Sequence, residues 1–281
     1  MTLSKDRPLL AGVMGWPIHQ SRSPMLHNYW FKQHGLNGNY VPLAVEPQAI
    51  HAALRALPAL GFSGVNLTIP HKQTAMADMA EIDDKGRGIG ALNLVVVRPD
   101  GSLFGTNTDA HGCIANIRQM QPEWRPDAGP MVIIGAGGAS RTAIWAMADA
   151  GVQEIRIANR THARALAVAK DLGAPLKVFT WEQRHDILDG AALLVNATNQ
   201  GMIGQQPLDL RLDRLPKQAF VYDIVYNPIE TPLIASARAR GNRVVPGLGM
   251  LLNQAPPAWK AWFGIEPQVT PELRKMIEAT L

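Results

Sequence analysis

The sequence has few cysteines, few aromatic residues and no long basic runs, and each shortage excludes a class of protein. The single cysteine, Cys113, rules out an internal disulfide and a multi-cysteine metal site, and it is typical of a reducing compartment. Aromatic residues make up 6% of the chain and are not interleaved with basic residues. The basic residues form no run of about five or six. The net charge of +4 therefore does not indicate nucleic-acid binding.

Long apolar segments are also missing. No segment contains the roughly 18 to 20 consecutive apolar residues of a membrane span. The N-terminal stretch MTLSKDRPLLAGVMG has no apolar run long enough for a signal peptide. We therefore predict a cytoplasmic protein with no membrane or nucleic-acid partner, and the modest basic excess favours anionic small molecules as ligands.

What the chain does contain is typical of a globular protein. Hydrophobic residues make up 47% and charged residues 18%, and the 25 glycines and 21 prolines are spread along the chain. Because domains cluster near roughly 100 to 150 residues, a length of 281 residues predicts two domains.

Predicted strands and helices alternate along most of the chain. The first such segments are LLAGVMG, SPMLHNYWFKQHG, NYVPLAV, PQAIHAALRALPALG and GVNLTI. This alternation predicts βαβ units and a mostly parallel sheet. NLVVVRPDGSLFG departs from it and predicts a hairpin with a turn at Pro99–Gly101. The alternation resumes at MVII, and two predicted helices end the chain.

The predicted fold class is α/β with two domains. Residues 1–112 and 247–281 are expected to form a discontinuous βαβ domain that binds the substrate. Residues 113–246 are expected to form a doubly wound, Rossmann-like domain that binds a nucleotide. The stretch QPEWRPDAGP, rich in proline and polar residues, is interpreted as the linker between them.

The segment MVIIGAGGAS combines an apolar strand, a glycine turn and the start of a helix. Gly135, Gly137 and Gly138 allow the backbone to approach a pyrophosphate, and the helix N-terminus offers free N–H groups. Ser140 stands where the motif expects a third glycine or an alanine. Ala136 and Ala139 complete the predicted nucleotide loop.

The end of the next predicted strand indicates which dinucleotide is used. A NAD-binding protein usually has an acidic residue there for the ribose hydroxyls. This sequence has Asn159, Arg160 and Thr161, with Arg164 one turn later. A guanidinium binds a 2′-phosphate through charge-assisted hydrogen bonds, whereas an acid would repel it. We therefore predict NADP and not NAD as the cofactor.

Two strand ends predict the chemical site. GVNLTIPHK brings Asn66, Thr68 and Lys72 to the carboxyl end of one strand. GTNTDAHG likewise ends a strand and opens a helix, which brings Asn107 and Asp109 to the same edge. A lysine and an aspartate at neighbouring strand ends can share a proton and act on a hydroxyl or carbonyl. Taken singly, a lysine such as Lys72 is more often a solvated surface residue, and an aspartate such as Asp109 is more often a helix N-cap.

The first predicted helix offers a further polar site. Ser23 is interpreted as its N-cap, followed by a proline in the first turn. This interpretation places the hydroxyls of Ser21 and Ser23 at the positively polarised end of the helix.

Over nearly its whole length the sequence resembles the shikimate dehydrogenase family. The resemblance is carried by motifs in the family's order, namely GWPIHQSRSPMLHN, GVNLTIPHK, GALN, GTNTDAHG, GAGGAS, NRT, NATNQGM, DIVYNPIETPL and GLGMLLNQA. It implies a substrate domain interrupted by a dinucleotide-binding domain. It also implies reversible, NADPH-dependent reduction of 3-dehydroshikimate to shikimate, a step towards chorismate and the aromatic amino acids, with no metal. Family members occur as monomers and as homodimers.

The resemblance also implies roles for individual residues. Ser21 and Ser23, helped by Tyr226, would hold the substrate carboxylate, and Lys72 would be the acid–base residue with Asp109 orienting it. Residues implied at the ring hydroxyls are Thr68, Asn93, Asp109 and Gln254. Thr198 and Gly247 are implied to bind the cofactor.

Three departures from the family pattern leave the substrate open. Gln20 replaces a histidine, Trp16 replaces a frequent asparagine, and Leu94 follows Asn93 where the family usually has threonine. The alternatives are a quinate/shikimate dehydrogenase, a paralogue with a shifted substrate, and, from another class, a non-catalytic NADP-binding regulatory protein. Retention of both Lys72 and Asp109 argues against the last, because a sensor needs no proton donor.

Overall fold

The computed structural model describes residues 8–173 and 175–281, and it contains two six-stranded sheets with helices. The predicted α/β fold class is confirmed. The chain divides into two compact units. The first unit comprises the residues up to Thr108 together with Gln254–Thr280, and the second comprises Asp109–Asn253. Residues 1–7 lie outside the described residues. They begin the N-terminal stretch in which the sequence predicts no signal peptide.

The secondary-structure elements follow the predicted alternation. The strands are β1 (Leu9–Gly15), β2 (Gly38–Ala44), β3 (Phe62–Leu67), β4 (Glu81–Ile82), β5 (Leu94–Val97), β6 (Leu103–Thr106), β7 (Met131–Ile134), β8 (Ile155–Ala158), β9 (Leu176–Phe179), β10 (Leu193–Asn196), β11 (Phe220–Asp223) and β12 (Arg243–Val245). The α-helices are α1 (Ser23–Gln33), α2 (Ile50–Ala56), α3 (Asp84–Ile89), α4 (Asp109–Met120), α5 (Gly138–Asp149), α6 (His162–Leu172), α7 (Pro232–Ala239), α8 (Leu248–Phe263) and α9 (Pro271–Glu278).

The sheet of the first unit is mixed. Its strands lie in the order β2-β1-β3-β5-β6-β4. β1 pairs in parallel with β2 and β3, and β4 pairs in parallel with β6, whereas β5 is antiparallel to both of its neighbours. The β5–β6 pair is the predicted hairpin, and the Arg98 N–H donates to the Ser102 carbonyl across its turn at 2.9 Å. The hairpin prediction is confirmed.

The end of the chain packs on the sheet and on α1 of the first unit. In α8 the indole N–H of Trp262 donates to the carbonyl of Val95 on β5 at 2.9 Å. Gly64, with φ +155°, makes this approach possible, because a Cβ there would lie 2.1 Å from that same carbonyl oxygen. Just before α9, the Gln268 carbonyl accepts from the indole of Trp30 on α1 at 3.0 Å.

The sheet of the second unit is fully parallel, in the order β12-β11-β10-β7-β8-β9. This is the doubly wound order: strands are added on one side of β7 up to β9, and from β10 onwards on its other side. In such sheets, ligands bind outside the carboxyl ends of the strands at this point of reversal, between β7 and β10. β7 and β10 are buried along their whole length, as expected for strands covered on both faces.

The stretch interpreted as a linker lies inside the second unit. Residues 121–129 follow α4, and Trp124 among them is buried in the same apolar core as Ile117 and Met131. The linker interpretation is wrong because the buried indole ties the proline-rich stretch to the core. Cys113 belongs to this core as well, and burial raises the pKa of its thiol to about 12. Within the described ranges, no helix is long and apolar enough to cross a membrane.

Candidate substrate and nucleotide sites

A network of buried polar side chains lies in the first unit, where β5 begins and β6 ends. Asn93 accepts a 2.7 Å hydrogen bond from the Thr108 N–H at its Oδ1. Its Nδ2 donates to the Thr108 hydroxyl at 3.0 Å and to Oε1 of Gln254 on α8 at 3.3 Å. The structure thus brings two predicted substrate residues, Asn93 and Gln254, together. Thr108 joins them unpredicted, although it lies within the quoted motif GTNTDAHG.

Asn66, the penultimate residue of β3, extends this network towards α1. Its Nδ2 donates to the Asn93 carbonyl at 2.9 Å, and its Oδ1 accepts from the Tyr40 hydroxyl at 2.8 Å. Burial raises the pKa of Tyr40, and a hydrogen bond with the side chain of Ser23 opposes that shift. The predicted carboxylate-binding residue Ser23 is thereby linked to the network. Tyr40 was missed from the sequence, since NYVPLAV reads only as a strand.

His27 packs behind Tyr40 in an aromatic environment. The two rings stack at a centroid distance of 4.1 Å, and Trp30 meets the imidazole edge-on at 5.6 Å. Both ring nitrogens are buried, and among the described residues neither has a hydrogen-bond partner. Burial lowers the pKa of His27 to about 3, so the ring is neutral at physiological pH.

The start of α1 differs from its prediction. Ser23 is the first helical residue, and Arg22 occupies the N-cap position with helical dihedral angles. The Ser23 N–H donates to the Ser21 hydroxyl at 3.3 Å, so Ser21 supplies the side-chain oxygen there. The N-cap assignment to Ser23 is wrong because the helix begins one residue earlier than the proline pattern indicated. Both hydroxyls nevertheless lie at the helix N-terminus, as predicted.

Main-chain hydrogen bonds hold the segment after β3 that carries Lys72. The Thr68 N–H donates to Met14 on β1 at 2.9 Å, and the Thr68 carbonyl accepts from the His71 N–H at 2.8 Å. The Lys72 carbonyl accepts from the Leu92 N–H at 2.7 Å. Thr68 and Lys72 are both half-buried at the end of the strand.

Two predicted substrate residues belong to the second unit. Asp109 is the first residue of α4 and is 8% exposed. Tyr226 lies three residues beyond β11 and is half-buried. The proposed sharing of a proton between Lys72 and Asp109 stays a prediction.

In the second unit, the glycine turn follows β7 at the place where the sheet order reverses. Gly135 has φ +118°, and a Cβ there would lie 2.8 Å from the Ala197 carbonyl after β10, so the turn needs glycine. Gly137 opens onto free space, because a Cβ there would meet nothing within 4 Å. Ser140 is fully buried, and its hydroxyl donates to the Gly135 carbonyl at 2.7 Å. Ser140, at the position where the motif expects a third glycine or an alanine, thus stabilises the turn through its hydroxyl.

Two exposed arginines follow β8, Arg160 in the turn after the strand and Arg164 in the first turn of α6. Asn159 donates from Nδ2 to the Thr161 carbonyl at 2.9 Å, which shapes the turn into α6. The Arg164 N–H donates to the Thr161 carbonyl at 3.0 Å, but within the described part of the chain neither guanidinium group has a hydrogen-bond or ion-pair partner. Two uncompensated guanidinium groups at this strand end suit a phosphate ester.

The remaining predicted cofactor residues follow two other strands of the sheet, Thr198 after β10 and Gly247 after β12. The Thr198 N–H and hydroxyl both donate to Oδ1 of Asn196, at 3.1 and 2.8 Å. Gly247 follows β12 and packs on the main chain after β11, where a Cβ would lie 2.3 Å from the Ile224 carbonyl. Sequence reasoning missed Asn196, although the quoted motif NATNQGM contains it.

The three departures from the family pattern occupy different surroundings. Leu94 is 1% exposed on β5 and lies in the core, as expected for an apolar strand residue. Gln20 is exposed and donates to the Pro17 carbonyl at 3.1 Å. Trp16 is 44% exposed. Among the described residues, no cluster of histidine, cysteine or acidic residues is arranged to hold a metal.

A doubly wound parallel sheet with a glycine turn at its reversal point defines the second unit as a Rossmann-like nucleotide-binding fold. Residues 13–95 match the family model of the shikimate dehydrogenase substrate binding domain, and residues 125–228 match that of shikimate / quinate 5-dehydrogenase. The NADP(+) shikimate dehydrogenase of Paramagnetospirillum magneticum is 53% identical, over 95% of this chain and 97% of that protein. The chain therefore belongs to the shikimate dehydrogenase family.

Solved structures agree with this assignment over nearly the whole chain. Shikimate 5-dehydrogenase from Thermus thermophilus, in complex with NADP(H) and shikimate, is 33% identical with a TM-score of 0.84 and covers 97% of this chain and 99% of its own. Quinate dehydrogenase from Corynebacterium glutamicum, in complex with NAD, is 28% identical with a TM-score of 0.88, and it covers 98% of this chain and 99% of its own.

Proposed function

We propose that this protein catalyses the reversible, NADP-dependent reduction of 3-dehydroshikimate to shikimate. The observation that carries the proposal is the buried network of Asn66, Asn93, Thr108 and Gln254 beside the strand end of Lys72. Amide and hydroxyl groups held in fixed orientations suit a ligand with several ring hydroxyls. The 53% identity to a relative named for shikimate and NADP(+) supports the same substrate and cofactor.

In this proposal the substrate carboxylate binds at the N-terminus of α1. The hydroxyls of Ser21 and Ser23 donate to it, and the helix dipole favours its negative charge. The side chains of Thr68, Asn93 and Gln254 hold the ring hydroxyls. The predicted roles of Asp109 at a ring hydroxyl and of Tyr226 at the carboxylate form part of the same proposal.

Lys72 supplies the proton of the reduction. When bound, NADPH provides the hydride that goes to the C3 carbonyl carbon of the substrate. As the carbonyl bond opens, negative charge develops on its oxygen, and the Lys72 ammonium donates a proton there. In the reverse direction the neutral amine accepts the proton of the C3 hydroxyl. The main-chain hydrogen bonds around Lys72 hold its backbone at the strand end.

The nucleotide site fits NADP. Gly137 leaves open space in front of the helix N-terminus, where a pyrophosphate can approach the backbone. Asn159 stands where an acid would bind the ribose of NAD, and Arg160 and Arg164 are available for a 2′-phosphate. These residues favour NADP over the NAD named with the quinate dehydrogenase structure.

Oxidation of NADPH by 3-dehydroshikimate, followed at the absorbance band of the reduced nicotinamide, tests the proposal. Substrate-dependent loss of absorbance is expected. A protein that binds NADPH without oxidising it would be the regulatory alternative and would contradict the proposed activity. A cytoplasmic location and a monomer or homodimer belong to the same proposal, and cell fractionation and sedimentation test them.

A further inference from the structure

A fully buried carboxylate, that of Asp223, lies behind the nucleotide site of the second unit. Asp223 ends β11 and faces Asn196, the last residue of the neighbouring β10. Both side chains are completely buried. The carboxylate accepts three hydrogen bonds, from Asn196 Nδ2 at 2.9 Å, from the Val225 N–H at 3.0 Å and from the Thr231 hydroxyl at 2.6 Å.

The first of these bonds, from Asn196, orders residues 197–200 after β10, here called the Thr198 loop. Donation to Asp223 fixes the Asn196 amide so that its Oδ1 faces Thr198, from which it accepts two hydrogen bonds. Asn196 Nδ2 also donates to the Gln200 carbonyl at 3.1 Å, and the Gln200 N–H donates to the Thr198 hydroxyl at 3.0 Å. The position of Thr198 therefore depends on the orientation that Asp223 imposes on one amide.

The second bond leads to the segment after β11. It holds the N–H of Val225, the residue directly before Tyr226. Gly247 packs on the same segment, with its ideal Cβ position 2.3 Å from the Ile224 carbonyl and 2.6 Å from that of Val225. Any shift of this main chain would displace Gly247 as well, because close-packed backbone leaves no room for adjustment.

The third bond leads away from the nucleotide. The Thr231 side chain caps α7 by accepting from the Ile234 N–H at 3.2 Å while it donates to Asp223. Its loss would weaken the helix end and leave one carboxylate oxygen unpaired. It would not release Asn196 or Val225, so Thr231 provides a matched control.

We propose that Asp223 is a positioning residue for cofactor binding, whose carboxylate fixes the Thr198 loop and the Ile224–Tyr226 segment on which Gly247 packs. Asp223 itself is too deeply buried to touch the cofactor. The inference rests on the proposed function for the identity of the ligand, NADP. A fully buried carboxylate is costly to desolvate, and burial raises its pKa to about 6. Its three donors offset that cost and fix its orientation.

Direct binding of NADPH to the full chain, followed by nicotinamide fluorescence, tests the inference. Asp223→Ala removes the hydrogen bonds that hold the Thr198 loop and the Ile224–Tyr226 segment. It is expected to raise the Kd for NADPH about 10- to 100-fold. Asp223→Asn is expected to bind within about threefold of wild type, because Oδ1 can accept from Asn196 and Val225 while the amide donates to Thr231. Thr231→Val is expected to melt at a lower temperature and still bind within about threefold.

Equal weakening in Asp223→Ala and Thr231→Val would overturn the positioning role, as would an unchanged Kd in Asp223→Ala. Should Asp223→Ala fail to fold, Asn196→Ala cuts the link to Thr198 alone and is expected to weaken NADPH binding about 10-fold. Wild-type binding by that variant would also overturn the inference.

Turnover of shikimate by the wild type separates this inference from the proposed function. If the wild type turns over shikimate but neither Asp223→Ala nor Asn196→Ala changes the Kd for NADPH, the positioning role alone is contradicted. Absent turnover, with NADPH binding in the expected order of variants, contradicts the proposed activity alone. A wild type that does not bind NADPH contradicts both.

Discussion

The hydroxyl of Tyr40 donates a 2.8 Å hydrogen bond to Oδ1 of Asn66, although 26 residues separate them. This bond determines which way the Asn66 amide faces, since its Nδ2 then donates to the Asn93 carbonyl. The predicted substrate residue Asn93 is thus supported from behind by a phenol that sequence reasoning did not select. The polar network of the first unit therefore has a second set of residues, Asn66 and Tyr40, behind Asn93.

Removal of the Tyr40 hydroxyl should therefore weaken substrate binding. Tyr40→Phe leaves Asn66 Oδ1 without its donor, which costs about 1 to 2 kcal/mol, and the KM for shikimate is expected to rise about 5- to 30-fold with a smaller change in kcat. Tyr29→Phe is the control: the Tyr29 hydroxyl belongs to the same unit and lies 3.4 Å from that of Thr270, and within the described residues no hydrogen bond joins it to the network. An unchanged KM in Tyr40→Phe would contradict the account.

Replacement of Lys72 should separate chemistry from cofactor binding. Lys72→Ala is expected to lower kcat by about 10²- to 10⁴-fold, because the developing alkoxide loses its proton donor. The Kd for NADPH, measured by fluorescence titration, should change less than about threefold. Lys32→Ala, at an exposed position on α1, is expected to leave both quantities unchanged. Loss of turnover and NADPH binding together would indicate a structural role for Lys72.

The arginines after β8 should determine the choice between the two dinucleotides. Arg160→Ala is expected to raise the KM for NADP⁺ about 10- to 100-fold, because a charge-assisted contact to the 2′-phosphate is lost. The kcat/KM for NAD⁺, which has no such phosphate, should change little. Arg125→Ala removes an exposed arginine paired with Asp127 and is the control. Equal losses with both dinucleotides would rule out recognition of the 2′-phosphate by Arg160.

The buried histidine should make the protein less stable in acid. The pKa of His27 is about 3 in the folded state and 6.5 as its ordinary value, so the unfolded chain binds the extra proton between these limits. Stability supplied by the neutral ring is full above pH 6.5 and is lost progressively as the pH falls towards 3. From pH 7 to pH 5 the loss is about 2 kcal/mol.

Urea unfolding of His27→Phe at both pH values checks this dependence. Phenylalanine keeps a ring against Tyr40 and cannot titrate, so the free energy of unfolding is expected to fall by about 2 kcal/mol less than in wild type. All other titratable groups are common to the two proteins, and a uniform effect of the substitution cancels in the difference. The same fall in both proteins would show that His27 takes up no proton on unfolding.

Local patterns predicted much of the fold from the sequence. The hairpin follows from Pro99–Gly101 between two apolar runs, and the parallel sheet of the second unit follows from short strands alternating with helices. The glycine turn could be placed because Gly135 directly follows a strand that is apolar throughout. Such features depend on neighbours in the sequence, and the sequence shows them directly.

Features that depend on distant residues could not be predicted in the same way. Asn196 and Asp223 meet because β10 and β11 are in register, and no spacing rule indicates that pairing in advance. The stretch around Trp124 has the composition of a linker, and only the position of its indole in the core reveals that it is not one. Tertiary packing overrides local composition at such positions.

The most direct test of the central claim is a steady-state comparison of kcat/KM for shikimate and quinate, each with NADP⁺ and with NAD⁺. The account predicts that shikimate with NADP⁺ exceeds each other combination at least about tenfold, as expected when a site leaves polar groups or a phosphate contact unpaired with the wrong ligand. A higher value for quinate, or for NAD⁺, would contradict it.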